Sequence, residues 1–214
     1  MIPKLIHQIW IGNTQIPEIW RPHTKSWQRK NPEYQYILWD NSRIKRIDSD
    51  DYLSLNVHPA FLCDVFRYKL LSLFGGFYFD VDFDCMKPID TWGYDFKNID
   101  FFTIDYCGTT QNGLMASGKN SPISKRLYDE IPRHSVSQGN VYGPWWLDRV
   151  LKNFEYPENI NIFMERKNVI RFLPEWYGAS KTVNSTICTG NDVRHSTWYP
   201  SKLCPHENII NSQR

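Results

Sequence analysis

Asp80 and Asp82, with Asp84 two positions further on, end the run Gly-Gly-Phe-Tyr-Phe-Asp-Val-Asp-Phe-Asp at residues 75 to 84. Side chains in a strand alternate between faces. Phe77, Phe79, Val81 and Phe83 are then predicted to point one way, and Tyr78, Asp80, Asp82 and Asp84 the other. Carboxylates in a row on one face repel one another unless a cation lies between them. Oxygen-only ligands suit a hard divalent ion, Mg²⁺ or Mn²⁺, rather than zinc, and such an ion keeps positions open for phosphate oxygens. The segment therefore reads as a metal–diphosphate site at the end of a buried strand. Its bland alternative, a solvated edge strand, sits badly with four large apolar residues on the other face.

Asp64 and Arg67 form a second pair, three apart and so on one helix face. On a surface such a pair contributes only about 0.3 kcal/mol. Here the surrounding residues are mainly Phe, Leu, Val, Tyr and Cys, so the charges are expected to serve a purpose. Arg67 could neutralise a diphosphate or order the Asp-rich strand, and Asp64 could accept from sugar hydroxyls; the competing reading is a structural ion pair.

The elements that must hold these residues alternate. Leu5 to Ile11 reads as a strand ending at Gly12-Asn13, 17 to 30 as a helix opened by Pro17, and Tyr34 to Trp39 as a strand closed by Asp40-Asn41-Ser42. Pro59 to Phe74 is predicted as a buried helix with a glycine stop at Gly75-Gly76. Strands are expected at 99 to 104 and 113 to 117, and helices from Ser121-Pro122 to near Pro132 and from Pro144 to Phe154. Residues 155 to 214 are Asn-rich, with short strands at best. This order implies an α/β architecture with helices packed on a central sheet.

At 214 residues one domain is expected, 1–214. The net charge of +2 gives no electrostatic footprint for nucleic acid. Five scattered cysteines without a Cys-x-x-Cys pair argue against a disulfide framework or a zinc site and favour a reducing, cytoplasmic setting. Neither a signal peptide nor a membrane span is visible. Aromatic content of 15% suits a carbohydrate or base site, although ordinary packing explains most of it.

Two stretches carry a resemblance: Ile-Pro-Lys-Leu-Ile-His-Gln-Ile-Trp-Ile-Gly at 2 to 12, and Asp64-Val-Phe-Arg67-Tyr-Lys-Leu-Leu-Ser-Leu-Phe-Gly-Gly-Phe-Tyr78-Phe-Asp80-Val-Asp82. The chain resembles the Asp-x-Asp glycosyltransferases whose sugar-binding region includes yeast outer-chain mannosyltransferase, bacterial capsule enzymes and clostridial toxin glucosyltransferase domains. The resemblance covers roughly residues 1 to 90. It implies a GT-A fold with a central, mostly parallel sheet flanked by helices. It further implies a nucleoside-diphosphate-sugar donor (UDP before GDP), Mn²⁺ or Mg²⁺, a glycan acceptor hydroxyl and retention of anomeric configuration. Residues 1–90 would then form the nucleotide-sugar and metal half, and 91–214 the donor-sugar and acceptor half with a C-terminal flap.

Carried over position by position, Ile9 and Trp10 meet the base and Asp64 and Arg67 hold the donor sugar. Tyr78 lies against the nucleotide, Asp80 contacts sugar, ribose or metal, and Asp82 ligates the metal. In the tail the resemblance implies that Ser196 reaches the metal and Trp198 the diphosphate, with His195 as an alternative third ligand. Asn112-Gly113-Leu114-Met115 and Gly143-Pro144-Trp145 fall where this class places donor-sugar and acceptor contacts. The lack of an anchor suggests a bacterial or large-DNA-virus enzyme, or one domain of a longer polypeptide. Two rivals stay open: a non-catalytic nucleotide-sugar- or glycan-binding module, and a Mg²⁺-dependent phosphohydrolase with an Asp-x-Asp strand end.

Overall fold

In the computed structural model, which describes residues 1–106, 109–153, 162–165 and 188–190, the apolar N-terminal run forms β1, Leu5–Ile9. It pairs in parallel with β2, Gln35–Trp39, on one side and β3, Gly76–Phe79, on the other. Next come β6, Thr109–Ser117, and β5, Phe101–Tyr106, both in antiparallel pairings, and then β7, Ile162–Glu165, parallel to β5. The order is β2-β1-β3-β6-β5-β7, with three of five pairings parallel among the described strands. A separate ribbon joins β4, Phe83–Cys85, to β8, Cys188–Gly190.

Helices cover both faces. On one lies α1, Arg21–Lys30, whose Trp27 packs with Ile6, Phe77, Phe79, Phe102 and Leu114. On the other lie α3, Pro59–Phe74, α4, Pro122–Asp129, and α6, Pro144–Asn153. Their Phe66, Leu70, Leu127 and Leu147 pack with Tyr78, Phe101 and Met115. Phe77 and Phe79 thus face α1 while Tyr78 faces α3, as the alternation predicts. Trp27 stacks on Phe79 with ring centroids 3.5 Å apart and donates Nε1–H to the Phe83 carbonyl at 2.8 Å.

Helix α3 passes straight into β3. Gly75 ends it with φ at +64°, and a Cβ there would lie 2.5 Å from the Lys119 nitrogen. Only glycine combines that backbone conformation with that proximity.

The expected elements are corrected in four places. The helix over 17 to 30 divides into a 3₁₀ turn, Glu18–Trp20, and α1. Residues 40 to 42 do not simply close β2. Asp40 caps a short helix, α2, Asn41–Lys45, by accepting from the Arg43 amide at 2.9 Å. The strand expected at 113 to 117 begins at Thr109. Most importantly, the Asp-rich segment is not one strand. β3 stops at Phe79, and Phe83 N–H donates to the Asp80 carbonyl at 3.1 Å, closing a turn over Asp80–Phe83 before β4. Asp84 leaves the cluster and lies 3.8 Å from His23 on α1.

His7 shows how tightly the central strands are fixed. Its ring is fully buried, Nε2 meets the Gly75 carbonyl at 2.8 Å and Nδ1 accepts from Trp39 Nε1 at 2.9 Å. Those partners select the neutral ring protonated on Nε2. Burial lowers its pKa from 6.5 to about 4. The unfolded chain therefore takes up a proton that the folded chain refuses, and His7's contribution is complete above 6.5 and lost as pH falls towards 4. Against a His7→Gln variant, the wild type is expected to lose roughly 3 kcal/mol of relative stability between about pH 7 and pH 4. Urea unfolding of both proteins across that range checks it.

Candidate active site

The site is assembled around Arg67. Its Nη2 lies 3.0 Å from Asp64 Oδ1 and 3.2 Å from Asp80 Oδ1, Nη1 donates to the Asn112 carbonyl at 2.8 Å, and Nε donates to the Cys63 carbonyl at 3.3 Å. The guanidinium carbon sits 4.8 Å from the Tyr78 ring centre, and Tyr78 Oη donates to Asp80 Oδ1 at 2.7 Å. Asn112 Nδ2 donates to Asp64 Oδ1 at 2.9 Å. One arginine therefore ties α3 to the end of β3 and to β6. Arg67 and Asp64 are almost wholly buried, whereas the Asp80 side chain is 31% exposed.

Local backbone choices bring these groups together. Three residues apart on α3, Asp64 and Arg67 share a face, and Tyr68 follows on the buried side. Asn112 arrives through a bulge: opposite Thr103 and Ile104 of β5, the β6 register jumps from Met115 to Gln111. Thr103 Oγ1 staples the bulge by donating to the Gln111 carbonyl at 2.8 Å. Bulges commonly re-aim side chains beside functional sites. Asp80 is fixed through its main chain as well, its N–H donating to the Gly113 carbonyl at 2.9 Å and its carbonyl accepting from Gln8 Nε2 at 3.0 Å.

Burial raises the carboxyl pKa of Asp64 and of Asp80 above the ordinary carboxylate value, and the neighbouring Arg67 only partly offsets this. The two anions depend on their cationic partner. Both Tyr78 and Arg67 address Oδ1 of Asp80, while among the described residues no hydrogen bond falls on Oδ2. Asp82 follows within the turn, half-buried. Partly exposed oxygen donors of this kind fit a hard divalent cation. Among the described residues no group of three His, Cys, Asp or Glu side chains is arranged around a metal. His195, Ser196 and Trp198 lie outside the described residues.

Gly113 makes room for this arrangement. A Cβ there would stand 2.7 Å from Asp80 Oδ2 and 3.2 Å from the Phe83 ring. The carboxylate can swing away, so Gly113→Ala is expected to cost only about 1–2 kcal/mol of stability. The displaced oxygen should weaken binding of a divalent cation at Asp80 by about tenfold or more, roughly 1.4 kcal/mol. Calorimetry beside urea unfolding separates the two effects.

Ile9 is buried in the α3-side core, and the next residue, Trp10, emerges beyond β1. Trp10 donates Nε1–H to the Thr14 carbonyl at 2.8 Å and meets Trp20 edge-on. It lines a cavity of about 510 Å³ with Gly12, Arg21, Lys25, Asp40 and Asn41. The structure thus brings Asp64, Arg67, Tyr78, Asp80 and Asn112 into one network and places Trp10 in a neighbouring cavity.

Sequence reasoning overlooked Tyr68 and Gln8. Tyr68 Oη donates to the Tyr142 carbonyl at 3.0 Å, joining α3 to the segment before α6. Its position four residues after Asp64 was a usable signal. Gln8 carries none, because it acts through a contact distant in sequence, with the Asp80 carbonyl.

Comparison with known proteins places this geometry in context. Residues 17–97 match the model of the glycosyltransferase sugar-binding region containing the DXD motif. An uncharacterized glycosyltransferase of Acanthamoeba polyphaga mimivirus is 31% identical over 159 residues, covering 66% of this chain and 60% of that protein. Inositol phosphoceramide mannosyltransferase 3 of Schizosaccharomyces pombe is 36% identical over 98 residues, 42% of this chain and 26% of the relative. The chain thus spans 60% or less of the length of these curated relatives. Among solved structures, the PaToxG glycosyltransferase superposes with a TM-score of 0.57 at 20% identity, covering 70% of this chain and 69% of that one. A glycosyltransferase involved in glycosylation of the major capsid of PBCV-1 gives 0.51 at 11% identity, covering 81% and 87%. These likenesses concern the fold, which is that of the GT-A glycosyltransferases. Among the described residues no helix is long and apolar enough to cross a membrane.

Proposed function

We propose, on the match of residues 17–97 to the glycosyltransferase sugar-binding region containing the DXD motif, that this chain moves a hexose or deoxyhexose from a nucleoside-diphosphate sugar to a glycan hydroxyl, with retention. The observation that carries the reading is the Asp64–Arg67–Asp80 network, with Asp82 on the adjoining turn. Asp80 and Asp82 would hold a divalent ion, Mn²⁺ or Mg²⁺, whose charge stabilises the leaving diphosphate. Trp10 offers a flat face for the base at its cavity, which leaves the carboxylates to the diphosphate and sugar. Arg67 keeps Asp64 and Asp80 ionised and aimed. Asp64 accepts from the donor sugar through the oxygen not taken by Asn112. His195, Ser196 and Trp198 are proposed to complete the donor site from the tail.

UDP and GDP both fit a stacking face. Relatives named as mannosyltransferases make mannose one candidate sugar. The test is calorimetric titration of UDP- and GDP-hexoses with and without Mn²⁺, followed by NMR of the transferred anomer. Metal-dependent binding of one donor and a retained product support the proposal. Failure to bind any nucleotide sugar overturns it, and binding without turnover on any glycan points to a binding module instead.

A further inference from the structure

Gln8 is a fully buried primary amide in β1, a strand paired on both sides. Two residues after Ile6, it lies on the α1 face of the sheet. An amide there needs a partner at each end, because an unmatched buried polar group is costly. One end meets the Asp80 main-chain carbonyl at 3.0 Å, which can only accept, so that end is Nε2. The other end is then Oε1, and it accepts from Tyr36 Oη of β2 at 2.7 Å. The Thr24 hydroxyl of α1 is a further partner of Tyr36. Tyr36 therefore selects which way round the amide sits.

The link falls where main-chain pairing gives out. The register of β1 with β3 ends at His7 and Tyr78, and beyond it the Gln8 side chain makes the connection. The carbonyl it holds is the one on which Phe83 N–H closes the turn, at 3.1 Å. That peptide plane joins Asp80 to Val81, so its tilt sets the direction in which the chain travels to Asp82. The Asp80 carboxylate is aimed separately, by Arg67 and Tyr78. One device thus orients a carboxylate, and another governs the offset between two of them.

We propose that Gln8, oriented by Tyr36, is a positioning residue for the divalent ion: it fixes the Asp80–Val81 peptide and with it the placement of the Asp82 carboxylate relative to that of Asp80. This rests on the reading above in which Asp80 and Asp82 hold the metal. Both residues act through the Asp80 main chain and not on the ion itself. Groups that stand behind metal ligands change affinity by about 10–100-fold when removed. A mere staple between β1 and β3 would alter stability and leave the affinity of the folded protein untouched, so the two roles separate experimentally.

The test reads Mn²⁺ affinity from the EPR signal of the free ion, in the presence of UDP or GDP, beside thermal unfolding of the metal-free protein. Gln8→Met keeps the length of the side chain and removes both polar contacts, and is expected to weaken Mn²⁺ binding about tenfold. Tyr36→Phe leaves the amide in place but free to turn, and is expected to weaken it about fivefold. Because Tyr36 acts through Gln8, the double variant should bind Mn²⁺ no more weakly than Gln8→Met alone. Should Gln8→Met fail to fold, Tyr36→Phe decides by itself. Unchanged Mn²⁺ affinity in folded Tyr36→Phe overturns the proposal, whatever its Tm, and so do losses that simply add in the double variant. If the wild type takes up no Mn²⁺ with either nucleotide, the metal reading of Asp80 and Asp82 is what fails, and this proposal falls with it.

Discussion

Asp82→Asn is expected to remove metal-dependent donor binding and to slow sugar transfer by roughly a thousandfold, about 4 kcal/mol of transition-state stabilisation. Stability should stay within about 1 kcal/mol of wild type, because Asp82 is half-buried and lies on the turn after β3 ends. Asparagine keeps the shape of the side chain and loses its charge, so the variant isolates electrostatics from packing. Calorimetry with and without Mn²⁺, beside steady-state transfer and thermal unfolding, checks all three statements. Near-normal transfer by Asp82→Asn would show that this carboxylate does not hold a catalytic metal. A collapse of thermal stability would show that the turn depends on the charge for its fold.

The second large effect falls on stability. Arg67→Met removes the partner of Asp64 and Asp80 and the donors to the Asn112 and Cys63 carbonyls in one step. The buried Asp64 carboxylate and the partly exposed carboxylate of Asp80 are left facing each other, and removing their cation costs about 3 kcal/mol, the low end for a buried pair. The sign of its pH dependence follows from the carboxyl groups. Both have pKa values raised by burial, and removing Arg67 raises them further. A raised folded-state pKa stabilises at pH values below the ordinary carboxylate range and loses that stabilisation as pH climbs through the raised value. The deficit of Arg67→Met should therefore narrow as the solution is acidified from neutrality, where the variant can protonate a carboxyl at less cost. Urea unfolding at about pH 7 and pH 5 tests this, and a deficit that grows on acidification contradicts it.

Much of this was legible in the sequence, and the remainder was not for identifiable reasons. Helix α3 could be read because Pro59 opens it, apolar residues fill it and Gly75 stops it. The pairing of Asp64 with Arg67 followed from helical spacing alone. The turn at Asp80 could not be read, because Phe83 packs in the same cluster as Phe77 and Phe79, so the apolar pattern is the same with or without a break. What breaks the strand is remote: Asp80 N–H donates to the Gly113 carbonyl, where the paired stretch of β6 ends. The β6 bulge left only Gly113 as a trace, and α2, five residues long, is too short for a periodic signal.

β3 lies between β1 and β6, and its strand residues Gly76–Phe79 are all buried. The stretch matching the family model ends at residue 97, whereas β6 begins only at Thr109. A fragment cut at that boundary would keep both aspartates and lose the strand that covers one flank of β3. Phe77, Tyr78 and Phe79 would then lie along an open, apolar edge, the kind that recruits other chains edge to edge. The stretch that identifies the family is for this reason not a module that can be excised or transplanted alone. A minimal unit that keeps β3 covered on both flanks has to run through Ser117 at least.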